Sequence, residues 1–166
     1  ASEPQTGSLL RALAASKPKG NFLELGTGTG VGTAWLLAGM DPESRLVTVD
    51  IDAATARIAQ RHLGHDTAVT FHIMDGADYL QSATPNQFDL IYADAWPGKF
   101  SHLEAALSLL RVAGFYCVDD LLPQVSWHDG HAPRVPALIL SPPAALSLKL
   151  RPPCRAPRPP PDGSPR

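Results

Sequence analysis

Cysteine is scarce in this sequence, charge is balanced and no apolar run is long; each shortage removes a class of protein. There are 2 cysteines in 166 residues. Cys117 sits inside an apolar run and Cys154 in a proline-rich tail, so no disulfide framework is expected, and a reducing cytoplasmic setting is. Lys and Arg number 14 against 16 Asp and Glu, a formal net charge of −2. With no basic surplus, neither nucleic acid nor a membrane surface is an expected partner. Apolar stretches such as Ala137-Leu138-Ile139-Leu140 are far too short to cross a bilayer. The opening Ala1-Ser2-Glu3-Pro4 has neither the basic nor the apolar part of a secretory leader, and none is expected. Hydrophobic residues, by contrast, make up 44% of the chain, enough for one domain with a core.

Two kinds of segment alternate. Short apolar runs read as buried strands at Phe22 to Leu25, Leu46 to Val49, Ala68 to Phe71, Leu90 to Ala93 and Phe115 to Val118. Helical spacing separates them. Leu9, Leu10 and Leu13 form one stripe, ended by Pro18; Ala34, Leu37 and Ala38 form a second, and Ala56, Ala59 and Leu63 a third. Leu103, Ala106, Leu107 and Leu110 make the clearest helix. Asp52 and Ser101 are the expected N-caps, and Gly114 the turn into the last strand. The fold class that follows is α/β, a doubly wound, mostly parallel sheet with helices on both faces. Ligands of such sheets bind beyond the carboxyl ends of the strands. The polar residues all follow strands there: Glu24 to Gly32, Asp50 to Asp52, Asp75 to Asp78, Asp94 to Lys99, and Asp119 with Asp120.

Phe22-Leu23-Glu24-Leu25-Gly26-Thr27-Gly28-Thr29-Gly30-Val31-Gly32 is a strand, a glycine-rich turn and a helix start. A dinucleotide fingerprint G-x-G-x-x-G fails in both registers, since Val31 and Thr33 stand where it needs glycine, and no Gly-Lys-Ser/Thr of a phosphate loop is present. An acid two residues ahead of Gly-x-Gly-x-Gly repels a pyrophosphate but can organise the loop or meet a cationic ligand. S-adenosylmethionine has an amino group, a sulfonium and no phosphate. Asp50 ends the second strand, where a carboxylate can accept both hydroxyls of an adenosyl ribose. Asp75-Gly76-Ala77-Asp78 is placed to border an adenine, with Asp78 the acceptor for its amino group or else a solvated loop acid.

With Glu24-Leu25-Gly26-Thr27-Gly28-Thr29-Gly30, Val49-Asp50-Ile51-Asp52, Asp75-Gly76-Ala77, Phe88-Asp89-Leu90-Ile91-Tyr92-Ala93-Asp94 and Val118-Asp119-Asp120 assembled, the chain resembles the class I S-adenosylmethionine-dependent methyltransferases. Within them it is similar to the small catechol and caffeoyl-CoA O-methyltransferases. The resemblance covers roughly Glu3 to His131. It implies a cofactor site of Glu24, Gly26, Thr27, Gly28 and Gly30 around the methionine end, Asp50 and Ile51 at the ribose, Gly76, Ala77 and Asp78 at the adenine, and Asp94. It implies also that Asp94, the catalytic candidate, joins Asp119 and Asp120 around a divalent cation, Mg or Ca, that lowers an acceptor hydroxyl's pKa. Two departures stand out. The relatives' Asp-Asn pair is Asp119-Asp120 here, and Pro97 holds the slot of their lysine, with Lys99 two residues further on. Without the cation, Asp94 would touch cofactor or acceptor directly and Asp119 would cap a turn. Trp96 reads equally as a wall of the acceptor pocket or an ordinary half-buried tryptophan; His128 and His131 are not assigned to the site.

The expected function is methyl transfer from S-adenosylmethionine to a small-molecule acceptor, with oxygen the expected nucleophile. The alternative is a non-catalytic cofactor-binding module, and a nicotinamide-dependent oxidoreductase is the further rival. Residues 1–141 form the expected core. Residues 142–166, rich in Pro and Arg, form an expected disordered or extended tail that cannot supply the fold's C-terminal hairpin. Phe115 to Val118 would then be an exposed edge along which two copies can pair as a homodimer.

Overall fold

A computed structural model describes residues 3–121, 123 and 130–140; the proline-rich tail, Cys154 and His128 lie outside them. Five strands alternate with helices: α1 (Pro4–Ala15), β1 (Asn21–Leu25), α2 (Val31–Leu37), β2 (Arg45–Asp50), α3 (Ala53–Leu63), β3 (Val69–Ile73), α4 (Gly76–Ser82), β4 (Phe88–Ala93), α5 (Leu103–Ser108) and β5 (Leu110–Val118). A 3₁₀ turn, Ala132–Arg134, leads into α6 (Val135–Leu140). Every strand pair is parallel and the order is β3-β2-β1-β4-β5. The chain thus starts in the middle of the sheet, builds outward to β3, then returns to lay β4 on the other side of β1. The crevice between β1 and β4 is the switch point at which such sheets open a site.

Both faces of the sheet are covered, which is why its central strands read as unbroken apolar runs rather than alternating ones. Leu23, Leu25, Val49, Ile91 and Ala93 pack on one face with Leu80, Ala106 and Leu109. Phe22, Leu46, Leu90 and Tyr92 pack on the other with Leu10, Ala14 and Leu36. Strand parity puts Glu24 on this second face, in register with Tyr92. A carboxyl group therefore stands in an apolar layer, fully buried. Among the described residues, no helix is long and apolar enough to cross a membrane.

Four local expectations are corrected. The buried stripe of α2 is Gly32, Thr33 and Leu36, whereas Ala34 and Ala38 are exposed. Thr33 turns inward because its hydroxyl meets Glu24, a polar reason that apolar spacing cannot register. Helix α5 ends at Ser108, and Leu110 opens β5 opposite Phe88. The ladder resumes only at Leu90 and Phe115. Arg111, Val112 and Ala113 bulge outward between, with Ala113 at φ 64°, so Gly114 belongs to the bulge and not to a turn before the strand. His102, not Ser101, occupies the N-cap of α5, because Ser101 bridges back to Pro97. Asp52 does cap α3, accepting from Ala54 N at 2.8 Å.

Candidate active site

A cavity of about 550 Å³ opens beyond the carboxyl ends of the strands, a size suited to a small ligand. The glycine loop after β1 forms one wall. Gly26 has φ 102°, and a Cβ there would lie 2.9 Å from the carbonyl oxygen of Asp94, so both the bend and the approach of β4 require glycine. Asp94 N in turn donates to Leu25 O at 2.8 Å, tying the two strand ends together. Gly28 borders open space. Gly30 turns away: it enters α2 and abuts Ala59 of α3.

Glu24 forms the floor. Thr33 and Thr48 both donate to its Oε2, at 2.5 and 2.6 Å. Since the Thr48 proton is spent there, Thr27 is the donor in the 2.6 Å contact between the two threonine hydroxyls. The side chain of Thr27 therefore faces inward, although its backbone lines the cavity. The second oxygen, Oε1, is buried with no hydrogen-bond partner among the described residues. Burial outweighs the two hydroxyl donors and, with the Asp94 and Asp50 carboxylates nearby, pushes the Glu24 pKa up to about 8. This shift favours the protonated acid in the ligand-free protein, with Oε1 the oxygen left to carry the proton.

The wall from β2 is Asp50 with Ile51, which is 69% exposed at the rim. Asp50 organises the glycine loop: Oδ2 accepts from Gly28 N at 2.7 Å and Oδ1 from Asp52 N at 2.8 Å. From the third strand end come Asp75 and Gly76. Asp75 caps α4 by accepting from Ala77 N at 2.7 Å. Asp78 is exposed on the first turn of that helix and, like Ala77 and Gly30, is not part of the lining. The acid that borders the cavity here is Asp75, because residues 76–82 are helix rather than loop.

The fourth wall is Asp94, Ala95 and Pro97. Burial, reinforced by the Asp119 and Asp120 charges and opposed by Lys99, raises the Asp94 pKa to about 7. Past it the chain curls tightly. Trp96 O accepts from the amides of Lys99, Phe100 and Ser101, and Gly98 N donates to Ser101 O at 2.7 Å. Tyr116 donates to Gly98 O at 2.5 Å. This curl swings Lys99 inward, where its side chain is 3% exposed by residue, donates to Asp119 O at 3.1 Å and lies 4.0 Å from the Asp120 carboxylate. Burial lowers the Lys99 pKa, and the charges of Asp94, Asp120 and Asp119 oppose that shift. Asp119 is engaged on both oxygens, by Tyr92 Oη at 2.7 Å and Asp120 N at 2.8 Å. The β4 curl is covered from the far side. Arg134 lies over the half-exposed Trp96 ring at 4.6 Å, and His131 stands edge-on to Phe100 with Nε2 2.9 Å from Asp120 O.

A family model described as a methyltransferase domain matches residues 23–121. This chain belongs to that methyltransferase family. A putative O-methyltransferase of Mycolicibacterium vanbaalenii is 33% identical over 116 residues, 67% of this chain and 51% of the relative. A catechol O-methyltransferase of Mycobacterium tuberculosis is 29% identical over 122 residues, 71% of this chain and 56% of the relative. The O-methyltransferase of Bacillus cereus, solved in complex with SAH, superposes with a TM-score of 0.69 at 26% identity, over 84% of this chain and 67% of the other. The methyltransferase domain thus spans about half the length of the curated relatives it matches.

The methyltransferase cavity suits its family's cofactor on grounds internal to the chain. Its lining carries four carboxyl groups, Glu24, Asp50, Asp75 and Asp94, which when ionised favour an ammonium and a sulfonium and disfavour a pyrophosphate. The orphaned Oε1 of Glu24 supplies the hydrogen-bonding position that an amino group would fill. The divalent cation does not find a comparable fit. Among the described residues, no three His, Cys, Asp or Glu side chains gather as a metal-binding group, and a buried ammonium stands among the three aspartates that were its expected ligands.

Proposed function

We propose that this domain binds S-adenosylmethionine and transfers its methyl group to an oxygen of a small molecule, a catechol-like phenol being the first acceptor to try. When bound, the cofactor supplies an electrophilic methyl on a sulfonium. The bond formed is carbon to acceptor oxygen, and the bond broken is carbon to sulfur, whose electron pair stays with S-adenosylhomocysteine. The observation that carries the reading is Glu24: an acid buried in an apolar layer, held by two threonines, with one oxygen left over at the cavity floor. Losing its proton as an amino group arrives, it holds the methionine end, assisted by the backbone of Gly26, Thr27 and Gly28. Asp50, already fixed by Gly28 N and Asp52 N, receives the ribose hydroxyls, and Ile51 offers the adenine an apolar edge. Asp75 and Gly76 border the base.

Asp94 accepts the acceptor's hydroxyl proton. A carboxyl group with a pKa of about 7 is well matched to that task at neutral pH. The larger contribution is positioning, since an in-line attack requires the oxygen opposite the departing sulfur, and orientation of this kind supplies up to about 7–11 kcal/mol. A cytoplasmic setting goes with this reading: Cys117 is a free thiol whose pKa burial pushes up to about 12, and it needs no oxidising compartment. Two copies pairing along β5, the last strand in the sheet order, is the oligomeric state to test by sizing chromatography.

Calorimetry tests the function directly. S-adenosylhomocysteine is expected to bind one per chain and NAD not at all, and a phenol panel with labelled S-adenosylmethionine is expected to yield methyl ether. Binding of NAD in preference would overturn the cofactor; cofactor binding without transfer to any phenol or alcohol would make the domain a binding module.

A further inference from the structure

We propose that the ammonium of Lys99 is the resident cation of the acceptor side, holding Asp119 and Asp120 beside Asp94 in the place where a divalent metal ion would otherwise be needed. The position of the lysine is built, not incidental. Three amides converge on Trp96 O, Tyr116 clamps Gly98 O, and Gly98 takes a left-handed φ of 86° with Leu25 and Tyr116 crowding it. The loop so formed leaves Lys99 almost no solvent and a carbonyl, Asp119 O, as hydrogen-bond acceptor.

The carboxylates are arranged to match. Asp120 sits at φ 59°, a conformation aspartate tolerates better than most residues, and this brings its Oδ2 within 4.0 Å of the ammonium. Asp119 has both oxygens committed to Tyr92 and to Asp120 N. A hard ion such as magnesium, which keeps several of its waters and binds through one or two carboxylates, would have to approach a buried positive charge to reach these. One lysine among three acids leaves a local charge of −2 at full ionisation; without it the same acids carry −3. Lys99 is a positioning residue here: it fixes the acids, and Asp94 meets the acceptor.

The inference rests on the methyltransferase reading only in naming this edge the acceptor side, and its test needs no methyl transfer. Manganese is titrated into the full chain and free ion followed by electron paramagnetic resonance, for the unaltered protein, Lys99→Gln and Lys99→Arg. S-adenosylhomocysteine binding is measured on each by calorimetry. The unaltered chain and Lys99→Arg are expected to take up no stoichiometric manganese at micromolar concentrations. Lys99→Gln is expected to bind it at least roughly tenfold more tightly, as three acids released from their ammonium should. One manganese per unaltered chain at micromolar concentration overturns the proposal whether or not Lys99→Gln folds, and so does a Lys99→Gln protein that folds and binds no better. Failure to bind S-adenosylhomocysteine would sink the proposed function and leave this result standing.

Discussion

The two ends of the crevice meet the problem of buried acid in opposite ways. Around β1 and β2, Glu24 has two donors on one oxygen and none on the other, so the structure is finished only when something arrives. Around β4 and β5, the paired acids are answered from within: Asp119 by Tyr92 and an amide, Asp120 by Lys99. One end waits for a cation. The other already has one. An unsatisfied buried group costs stability, so the first arrangement persists in a useful protein because ligand binding recovers that cost.

The harshest way to break the comparison is to disturb the point where the two ends touch. Gly26→Val puts a branched side chain at φ 102°, with its Cβ 2.9 Å from Asp94 O. Both the glycine bend and the β1–β4 crevice must shift. Affinity for S-adenosylhomocysteine should fall beyond roughly 100-fold, an effect of about 3 kcal/mol, in calorimetry on protein whose folding is checked by circular dichroism. Unchanged affinity would show that the loop is not the ligand wall.

Next in size is Asp94→Asn. With Asp94 near pKa 7, the rate with a phenolic acceptor should climb as pH rises through that value, because only the ionised carboxylate can take the proton. The asparagine variant should lose that limb and about 10²–10⁴ of the rate, the usual worth of a positioned base. Its affinity for S-adenosylhomocysteine should change little. A pH profile that keeps its limb without Asp94 would assign the base elsewhere.

Glu24→Gln probes the waiting end. An amino group arriving at a carboxyl with a pKa of about 8 displaces a proton, so affinity should rise with pH up to that value in the unaltered protein. Glutamine should flatten the dependence and weaken binding roughly tenfold, about 1.4 kcal/mol. Stability runs the other way. The folded acid, at about 8, holds its proton over a range where the unfolded one, at 4.5, has lost it. The ligand-free protein should therefore lose stability as pH climbs between those two values. The glutamine variant should be less pH-dependent there in urea melts.

Most of the frame is legible in the sequence. Buried parallel strands are apolar throughout, so β1, β2 and β4 could be read within one or two residues, and the acids following them pointed to one edge. Legibility stopped where polar groups decide the packing. Apolar spacing misses the α2 stripe because Thr33 faces inward to meet Glu24. Asp78 was preferred to Asp75 because a capped helix looks like a loop when its first residues are Asp-Gly-Ala-Asp. Lys99 escaped for a geometric reason: spacing counts residues along an open chain, while the Trp96 to Ser101 curl folds two of them away. A Pro-Gly pair just past the Asp94-Ala95-Trp96 that follows β4, with a cation next to it, is the signal that reveals it.

The finest test sets one hydroxyl at each end against the other. Thr33→Val and Tyr92→Phe each remove one donor to a carboxyl oxygen, at 2.5 Å to Glu24 and 2.7 Å to Asp119, and each leaves the side chain's apolar body in the core. Both should cost stability on the order of 1–2 kcal/mol in urea denaturation, as lost hydrogen bonds to acidic groups do. Their effects on ligand should part. Without Thr33 the Glu24 proton is held more tightly and the carboxyl is less well aimed, so S-adenosylhomocysteine should bind several-fold more weakly. Without Tyr92, Asp119 keeps the Asp120 amide and its backbone carbonyl keeps Lys99, so affinity should stay within about twofold, below 0.5 kcal/mol. Equal losses at both ends would mean that the crevice acts as one electrostatic unit and that the division between a waiting end and a completed one is wrong.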